Sequence, residues 1–329
     1  MDFTDFKQRI FHLHDICEFN GLALELFRYQ YQNCAVYHDF CDALRIDIER
    51  IEDYRMIPFL PVSFFKTHKI LSGNITQEIV FESSGTTGMI PSRHYVADLD
   101  LYIRSFNRCF EIFYGDVTKY EIFALLPSYL EREHSSLVFM VEKLLQKTNR
   151  RAGGFYLNNL DSLQKNILDA YQSGVKIMLI GVTFALLDMA KSFPVHIPDA
   201  IVIETGGMKG RRNEITRMEL HETLCKGLGV AEVHSEYGMT ELLSQAWSSG
   251  NGVFRCPPWM KVLIADTNDP LSFVPTGRTG GINVIDLANA HSCSFIATQD
   301  LGRISEDGSF EVLGRFDSSD IRGCSLLAL

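Results

Sequence analysis

Three short stretches of this chain combine hydroxyl, glycine and charged residues at spacings that could do chemistry. The first is Glu82-Ser83-Ser84-Gly85-Thr86-Thr87-Gly88. Glycines let successive backbone N–H groups turn toward one point and the flanking hydroxyls add donors, so the loop suits an anion such as a triphosphate. It is not a Walker loop, because G-x-x-x-x-G-K-[ST] occurs nowhere in the chain. Read alone, such a hexamer is more often an ordinary turn. The second stretch is Ser235-Glu236-Tyr237-Gly238-Met239-Thr240-Glu241. Tyr237 offers a flat face for a purine, the Thr240 hydroxyl can reach a phosphate, and Glu241 could hold Mg²⁺, which prefers a carboxylate shared with phosphate oxygens. By themselves these residues read as readily as a core tyrosine and a solvated acid at a helix start. The third comprises Thr298-Gln299-Asp300-Leu301-Gly302, Gly314-Arg315-Phe316-Asp317 and Asp320-Ile321-Arg322-Gly323. Asp300 can accept from both hydroxyls of a ribose, and Arg315 can hold sugar or phosphate oxygens through its fork of donors.

Something must carry these stretches to one place. Residues 1–75 repeat apolar positions at helical spacing (Phe19, Leu22, Leu26, Tyr29; Phe40, Leu44, Ile48, Ile51) and read as an α-helical lead-in. Pro58 and Pro61 stop that pattern, and PFLPVSFFK reads as an extended connection carrying Phe64 and Phe65 into a core. From residue 76 to 250, strand-like EIFALLPS, VKIMLIGV and DAIVIETGG alternate with helix-like SSLVFMVEKLLQK, Asn158–Ser173 and TFALLDMAKSF. Such alternation predicts an α/β fold with parallel strands, crossover helices and ligand loops at the strands' carboxyl ends. Residues 251–329 hold more glycine, proline and short strands and predict a β-rich part. Leu137-Val138-Phe139-Met140 and Ile177–Leu187, the latter containing Gly181, line either an acyl pocket or, more simply, the core.

The 329 residues carry 31 Lys plus Arg against 41 Asp plus Glu, a net charge of −10. That balance gives no broad attraction to nucleic acid or an anionic membrane, while leaving room for a local basic pocket. A composition of 46% apolar and 22% charged residues excludes disorder and repeat fibres. No apolar run approaches the roughly 20 residues of a membrane span, and MDFTDFKQRI is no leader, so a cytoplasmic protein without stable membrane insertion is expected. The eight cysteines form no C-x-x-C pair and read as reduced packing residues.

SSGTTG, ETGG at Glu204–Gly207, EYGMTE, QDLG and GRFDSSDIRG arrive in the order of the adenylate-forming superfamily, which the chain resembles from Ser83 to Gly323. Within it, LPSYLEREHSSL, TGGMKGRR and the ending DIRGCSLLAL are most similar to the acyl-protein synthetases of bacterial bioluminescence. The resemblance implies the superfamily's large-domain fold, with layered α/β subdomains and a β-rich C-terminal subdomain. It also implies ATP and Mg²⁺ as cofactors, a fatty acid or other carboxylic acid as donor, an acyl-AMP intermediate, and an acyl-accepting partner such as a reductase or carrier protein. Ser83, Ser84, Gly85, Thr86, Thr87, Gly88, Gly206, Gly207, Tyr237, Gly238 and Asp300 map to nucleotide contacts. Thr240, Glu241 and Arg315 map to the catalytic set, with Glu241 on the metal. His134 maps to a substrate gate, with Gly181 on the acyl side. Cys324 maps to the acyl acceptor, although plain packing beside its apolar tail would also explain it.

Two departures from the superfamily are expected. The small C-terminal domain with its lysine is expected to be missing, so Arg315, Arg322, the Lys209/Arg211/Arg212 cluster or a partner subunit would replace its charge. Met89-Ile90-Pro91-Ser92-Arg93 stands where Pro-Lys often follows the second glycine, leaving Arg93 to take the cation's part. Tyr237→Ala and Glu241→Ala are expected to abolish activity with stability retained. The competing readings are a ligase that makes acyl-CoA or loads a carrier protein, and a non-catalytic nucleotide-binding subunit.

Overall fold

Tyr120-Glu121-Ile122-Phe123-Ala124-Leu125 is apolar but for one acid, as a strand buried on both faces must be, and all six residues are buried as β4. The computed structural model describes residues 1–84, 90–127, 132–148, 152–206 and 215–316. Gly85, Thr86, Thr87, Gly88, Gly207, Lys209, Arg211, Arg212, Arg322 and Cys324 lie outside the described residues.

Around β4 the sheet runs β5 (Gly154–Phe155), β4, β6 (Lys176–Gly181), β7 (Ile201–Glu204), β8 (His234–Tyr237) and β9 (Ala246–Ser248), parallel except for the last pair. Alternate residues of β4 and β6 face opposite cores. Ile122, Ala124, Met178 and Ile180 share a core with α5 (Leu99–Tyr114) and α6 (Ser136–Lys147). Phe123, Leu125, Ile177 and Leu179 pack with α7 (Leu160–Gln172), α8 (Thr183–Ser192) and α9 (Arg217–Leu228). Helices on both faces of a parallel sheet are the layered α/β part expected from the alternation of patterns.

The helices begin and end where their sequences dictate. Asp98 caps α5 by accepting from Leu101 N, and Gly115 ends it at φ +76°, a conformation glycine adopts freely. Thr216 and Glu219 form a reciprocal capping box on α9, which Gly229 closes in the left-handed conformation.

The C-terminal part is a mostly antiparallel sheet in the order β10 (Val253–Phe254), β14 (Phe310–Arg315), β13 (Phe295–Ile304), β12 (Thr279–Asp286) and β11 (Met260–Ala265). The N-terminal helices α1 (Phe3–Arg9), α2 (Ile16–Asn33) and α3 (Ala35–Ala43) are tied to it. Buried Gln30 donates to the Asn289 and Ala290 carbonyls and accepts from Ser294 N, while β1 (Leu60–Pro61) pairs in parallel with Ile296 and Ala297 of β13. The extended reading of PFLPVSFFK holds only through β1. Phe64–Thr67 form one helical turn, α4, because no proline follows Pro61 to prevent Lys66 N from donating to the Ser63 carbonyl. A hairpin of β2 (Ile79–Glu82) and β3 (Arg93–Val96) completes the described elements that bear on the site. Among the described residues no helix is long and apolar enough to cross a membrane. Of the described cysteines, Cys34, Cys41, Cys109 and Cys293 are buried free thiols.

Candidate active site

Strand β8 ends at Tyr237, and the chain then turns through Gly238 to Thr240 and Glu241. This segment is held by its backbone. His94 of β3 places Nδ1 2.8 Å from the Thr240 carbonyl oxygen and Nε2 2.9 Å from Asn289 Oδ1. Asn289 donates its amide to the Glu241 carbonyl at 2.8 Å and to the Cys293 carbonyl at 2.9 Å. Just beyond, Asp286 at the end of β12 accepts from Leu243 N, Ser244 N, Ser244 Oγ and Ala288 N at 2.6–3.1 Å. Main-chain groups so clamped fix where the Glu241 side chain starts. The carboxyl is buried, which raises its pKa, while a hydrogen bond from Ser92 and the charges of Arg315 and Lys66 oppose that rise.

Beside it, the Tyr237 hydroxyl donates to Asp300 Oδ2 at 2.9 Å, and Arg315 Nε donates to Asp300 Oδ1 at 3.1 Å. The register of β13 with β14 sets Asp300 directly opposite Arg315. Tyr237 is 8% exposed, and its ring meets Phe254 and Phe310 edge-on. The ring thus sits in an aromatic cluster, as the core reading has it, while the hydroxyl reaches Asp300. The expectation that Tyr237→Ala retains stability does not survive this packing, because losing a buried aromatic ring costs about 3–5 kcal/mol. Tyr237→Phe is the substitution that isolates the hydroxyl.

Ser83, at the start of the glycine-rich stretch, lies in the same region. Ser83 N donates to the Ser92 carbonyl and Ser83 Oγ accepts from Ser92 N at 2.9 Å, which extends the pairing of β2 with β3 beside the residue that bonds Glu241. Ser84 is exposed. Arg93, the expected substitute cation, is engaged by Glu82 of the facing strand at 3.0 Å. His134 is exposed, and its carbonyl accepts from Glu82 N at 2.8 Å, so the expected gate residue borders this hairpin through its backbone.

At the end of β7, Gly206 adopts φ +72° and donates its N–H to Glu204. Burial raises the Glu204 pKa, but His221, Ser235, the Gly206 N–H and Arg217 outweigh it and bring the pKa below the ordinary value. Gly238 leaves the space that the Glu236 carboxyl fills, since a Cβ there would lie 2.3 Å from Glu236 Oε1. Burial, with the charge of Glu204, pushes Glu236 up to about 8. An acid whose pKa rises on folding contributes stability that is full below its unfolded pKa and lost as pH rises through about 8. Glu236→Gln should therefore gain about 1 kcal/mol or more over wild type at pH 8, and less at pH 5. Thermal melts at the two pH values check this, and an equal gain at both contradicts it.

Two expected regions lie elsewhere. Gly181 is buried where a Cβ would come 2.7 Å from Leu125 Cβ and 3.1 Å from Leu186 Cγ, so its missing side chain lets α8 pack on β4. Leu137–Met140 and most of Ile177–Leu187 fill the two cores. A surface cavity of about 550 Å³ between Phe11, Arg104, Phe110 and Lys147 contains none of the motif residues. Sequence reasoning missed His94, Asn289, Asp286, Ser92 and Lys66, each a single polar residue without a local pattern.

Both proposed ligands suit what is present. Glu241 offers a hard oxygen donor, makes no ion pair among the described residues, and would be relieved of its burial penalty by a cation. Asp300, Tyr237 and Arg315 present donors and acceptors beside the carboxyl end of β8, where open parallel sheets commonly bind ligands. Among the described residues no group of three or more His, Cys, Asp or Glu side chains could hold a metal, so a cation here would share one carboxylate with its ligand's own oxygens.

Residues 15–126 match the family described as acyl-protein synthetase, LuxE. A long-chain-fatty-acid–luciferin-component ligase of Photorhabdus luminescens is 38% identical over 69 residues, which cover 21% of this chain and 59% of that protein. The match thus spans less than two thirds of that relative. In fold, the chain is similar to 2-hydroxyisobutyryl-CoA ligase in the postadenylation state, with a TM-score of 0.66 and 12% identity over 91% of this chain and 67% of that one. It is also similar to ATP-bound MatB from Rhodopseudomonas palustris, with a TM-score of 0.53 and 19% identity over 72% of this chain and 47% of that one. The chain therefore has the fold of the adenylate-forming enzymes, and its residues 15–126 carry the sequence signature of the LuxE acyl-protein synthetases.

Proposed function

We propose that the chain activates a fatty acid with ATP as an acyl adenylate and passes the acyl group to a cysteine thiol of a protein. The observation that carries this reading is the convergence of Tyr237, Asp300, Arg315 and Glu241, which sequence places up to 78 positions apart, at one end of the parallel sheet. The fatty carboxylate attacks the α-phosphorus, the bond to the bridging oxygen breaks, and pyrophosphate leaves. No proton need be removed from a carboxylate, so the protein's task is to position the groups and neutralise charge. Asp300, ordered by Tyr237 and Arg315, accepts from the ribose hydroxyls, while the Thr240 hydroxyl and Arg315 face the phosphates. Glu241 would hold Mg²⁺, which would supply charge screening of the phosphate oxygens. Ser83 to Gly88 supply backbone donors to the phosphates, and Gly206 and Gly207 let the chain approach the nucleotide closely. His134 borders the carboxylate's entry.

The mixed anhydride is then open to a thiolate, which expels AMP. Cys324 is the proposed acceptor, with Arg322 favouring its ionised form, and a partner reductase or carrier protein receives the acyl group. A cytoplasmic site of action follows from the thiol chemistry. Incubation with ATP, Mg²⁺ and a fatty acid, followed by mass spectrometry, tests the transfer. A hydroxylamine-labile acyl mass on the Cys324 peptide is expected. Acylation of added pantetheine with Cys324 unmodified would instead favour a coenzyme A or carrier-protein ligase.

A further inference from the structure

Lys66 is carried toward the acidic segment by the N-terminal part of the chain. The pairing of β1 with Ile296 and Ala297 fixes where α4 begins, and α4 packs on β3 of the hairpin that leads into the glycine-rich stretch. The neighbouring Phe65 is buried and meets His94 edge-on, with centroids 5.8 Å apart, and His94 in turn contacts the Thr240 carbonyl. The charges of Arg315 and Lys66 both oppose the rise that burial imposes on the Glu241 carboxyl's pKa. The other nearby cations are committed: Arg93 to Glu82, Arg315 to Asp300, and Arg217 to the Val312 carbonyl. The half-buried Lys66 makes no ion pair and no ammonium hydrogen bond among the described residues. An ammonium held near a buried acid, yet bonded to none, is placed for an anion that enters with the substrate. Its neighbours suit the polyphosphate end of a nucleotide: the hairpin of β2 and β3 lies beside α4, and the sugar end falls to Asp300 in the reading above.

We propose that Lys66 is a catalytic residue of the adenylation site, its ammonium contacting the β- and γ-phosphates of ATP and the pyrophosphate that leaves. This assignment rests on the adenylation reading above. It gives the N-terminal part of the chain a role in chemistry, and it supplies the phosphate-loop cation that sequence reasoning sought in Arg93.

Calorimetric titration of the full chain with ATP, pyrophosphate and AMP tests it. Lys66→Ala should weaken ATP and pyrophosphate binding by about 10-fold or more, change AMP binding less than about twofold, and leave the thermal midpoint unchanged. Lys66→Arg, which keeps the charge, should restore most of the ATP affinity. Unchanged ATP affinity in Lys66→Ala overturns the assignment, as does an equal loss for ATP and AMP, which would mark a general structural defect. Wild-type protein that binds ATP and responds to Lys66→Ala as expected, but shows no acid-dependent pyrophosphate exchange, supports the lysine's contact while sinking the adenylation reading. Wild-type protein that binds neither nucleotide sinks both.

Discussion

Glu241→Gln lowers the rate of fatty-acid-dependent ATP–pyrophosphate exchange by about 100-fold or more, with a thermal midpoint no lower than the wild type's. The two halves of this result have separate causes. Glutamine fills the same volume, and the contacts that hold the segment, from His94 and Asn289, go to the main-chain carbonyls of Thr240 and Glu241, so they survive the substitution. The carboxyl's pKa is raised by burial, so its charge at neutral pH costs stability that a neutral amide does not. What the amide cannot supply is an anionic oxygen for a divalent cation, and without that cation the charge developing on the phosphates is less well neutralised. Exchange measured across a range of magnesium concentrations checks the result. Wild-type exchange in the variant would remove Glu241 from the mechanism.

Asp286→Ala lowers the unfolding free energy by about 3–5 kcal/mol. Asp286 is 0% exposed, and both its oxygens are occupied by three main-chain N–H groups and the Ser244 hydroxyl. Alanine strands all four donors where water does not reach. The loss spreads to Ser244 Oγ, which also accepts from Trp259 Nε1 at 2.9 Å and so joins α5, the acidic segment and β12 in one buried knot. Burial pushes Asp286 up to about 6 against these donors, so the ionised form carries a penalty at neutral pH, and Asp286→Asn should lose less than the alanine variant. Urea unfolding of the two variants checks this. A change below about 1 kcal/mol in Asp286→Ala would mean that the acidic segment is anchored by other contacts.

What could be read from the sequence follows the range over which each signal acts. The parallel strands and crossover helices are local patterns: β4 is apolar but for Glu121, and α6 repeats apolar positions between Ser136 and Lys147, so both were visible in the order of residues. The pairing of Asp300 with Arg315 was half visible, because both stand in charged stretches of sequence, but their places in β13 and β14 and the register between those strands were not. Hidden altogether were the groups that position Glu241. His94 is 146 positions from Thr240, and Asn289 is 48 from Glu241, and a lone polar residue in an apolar stretch carries no mark of its partner. Lys66 was hidden for a different reason. Two prolines made its stretch look extended, whereas one helical turn aims that stretch at the site. The close approach that Gly181 allows was likewise hidden, since it depends on Leu125 of β4 and Leu186 of α8 meeting at that strand end.

The account stands most directly on exchange of labelled pyrophosphate into ATP by the purified chain, with and without a fatty acid. It predicts incorporation that requires both the acid and Mg²⁺, and acyl hydroxamate with AMP when hydroxylamine is added. Incorporation independent of any carboxylic acid, or nucleotide turnover that yields ADP and phosphate, would contradict it.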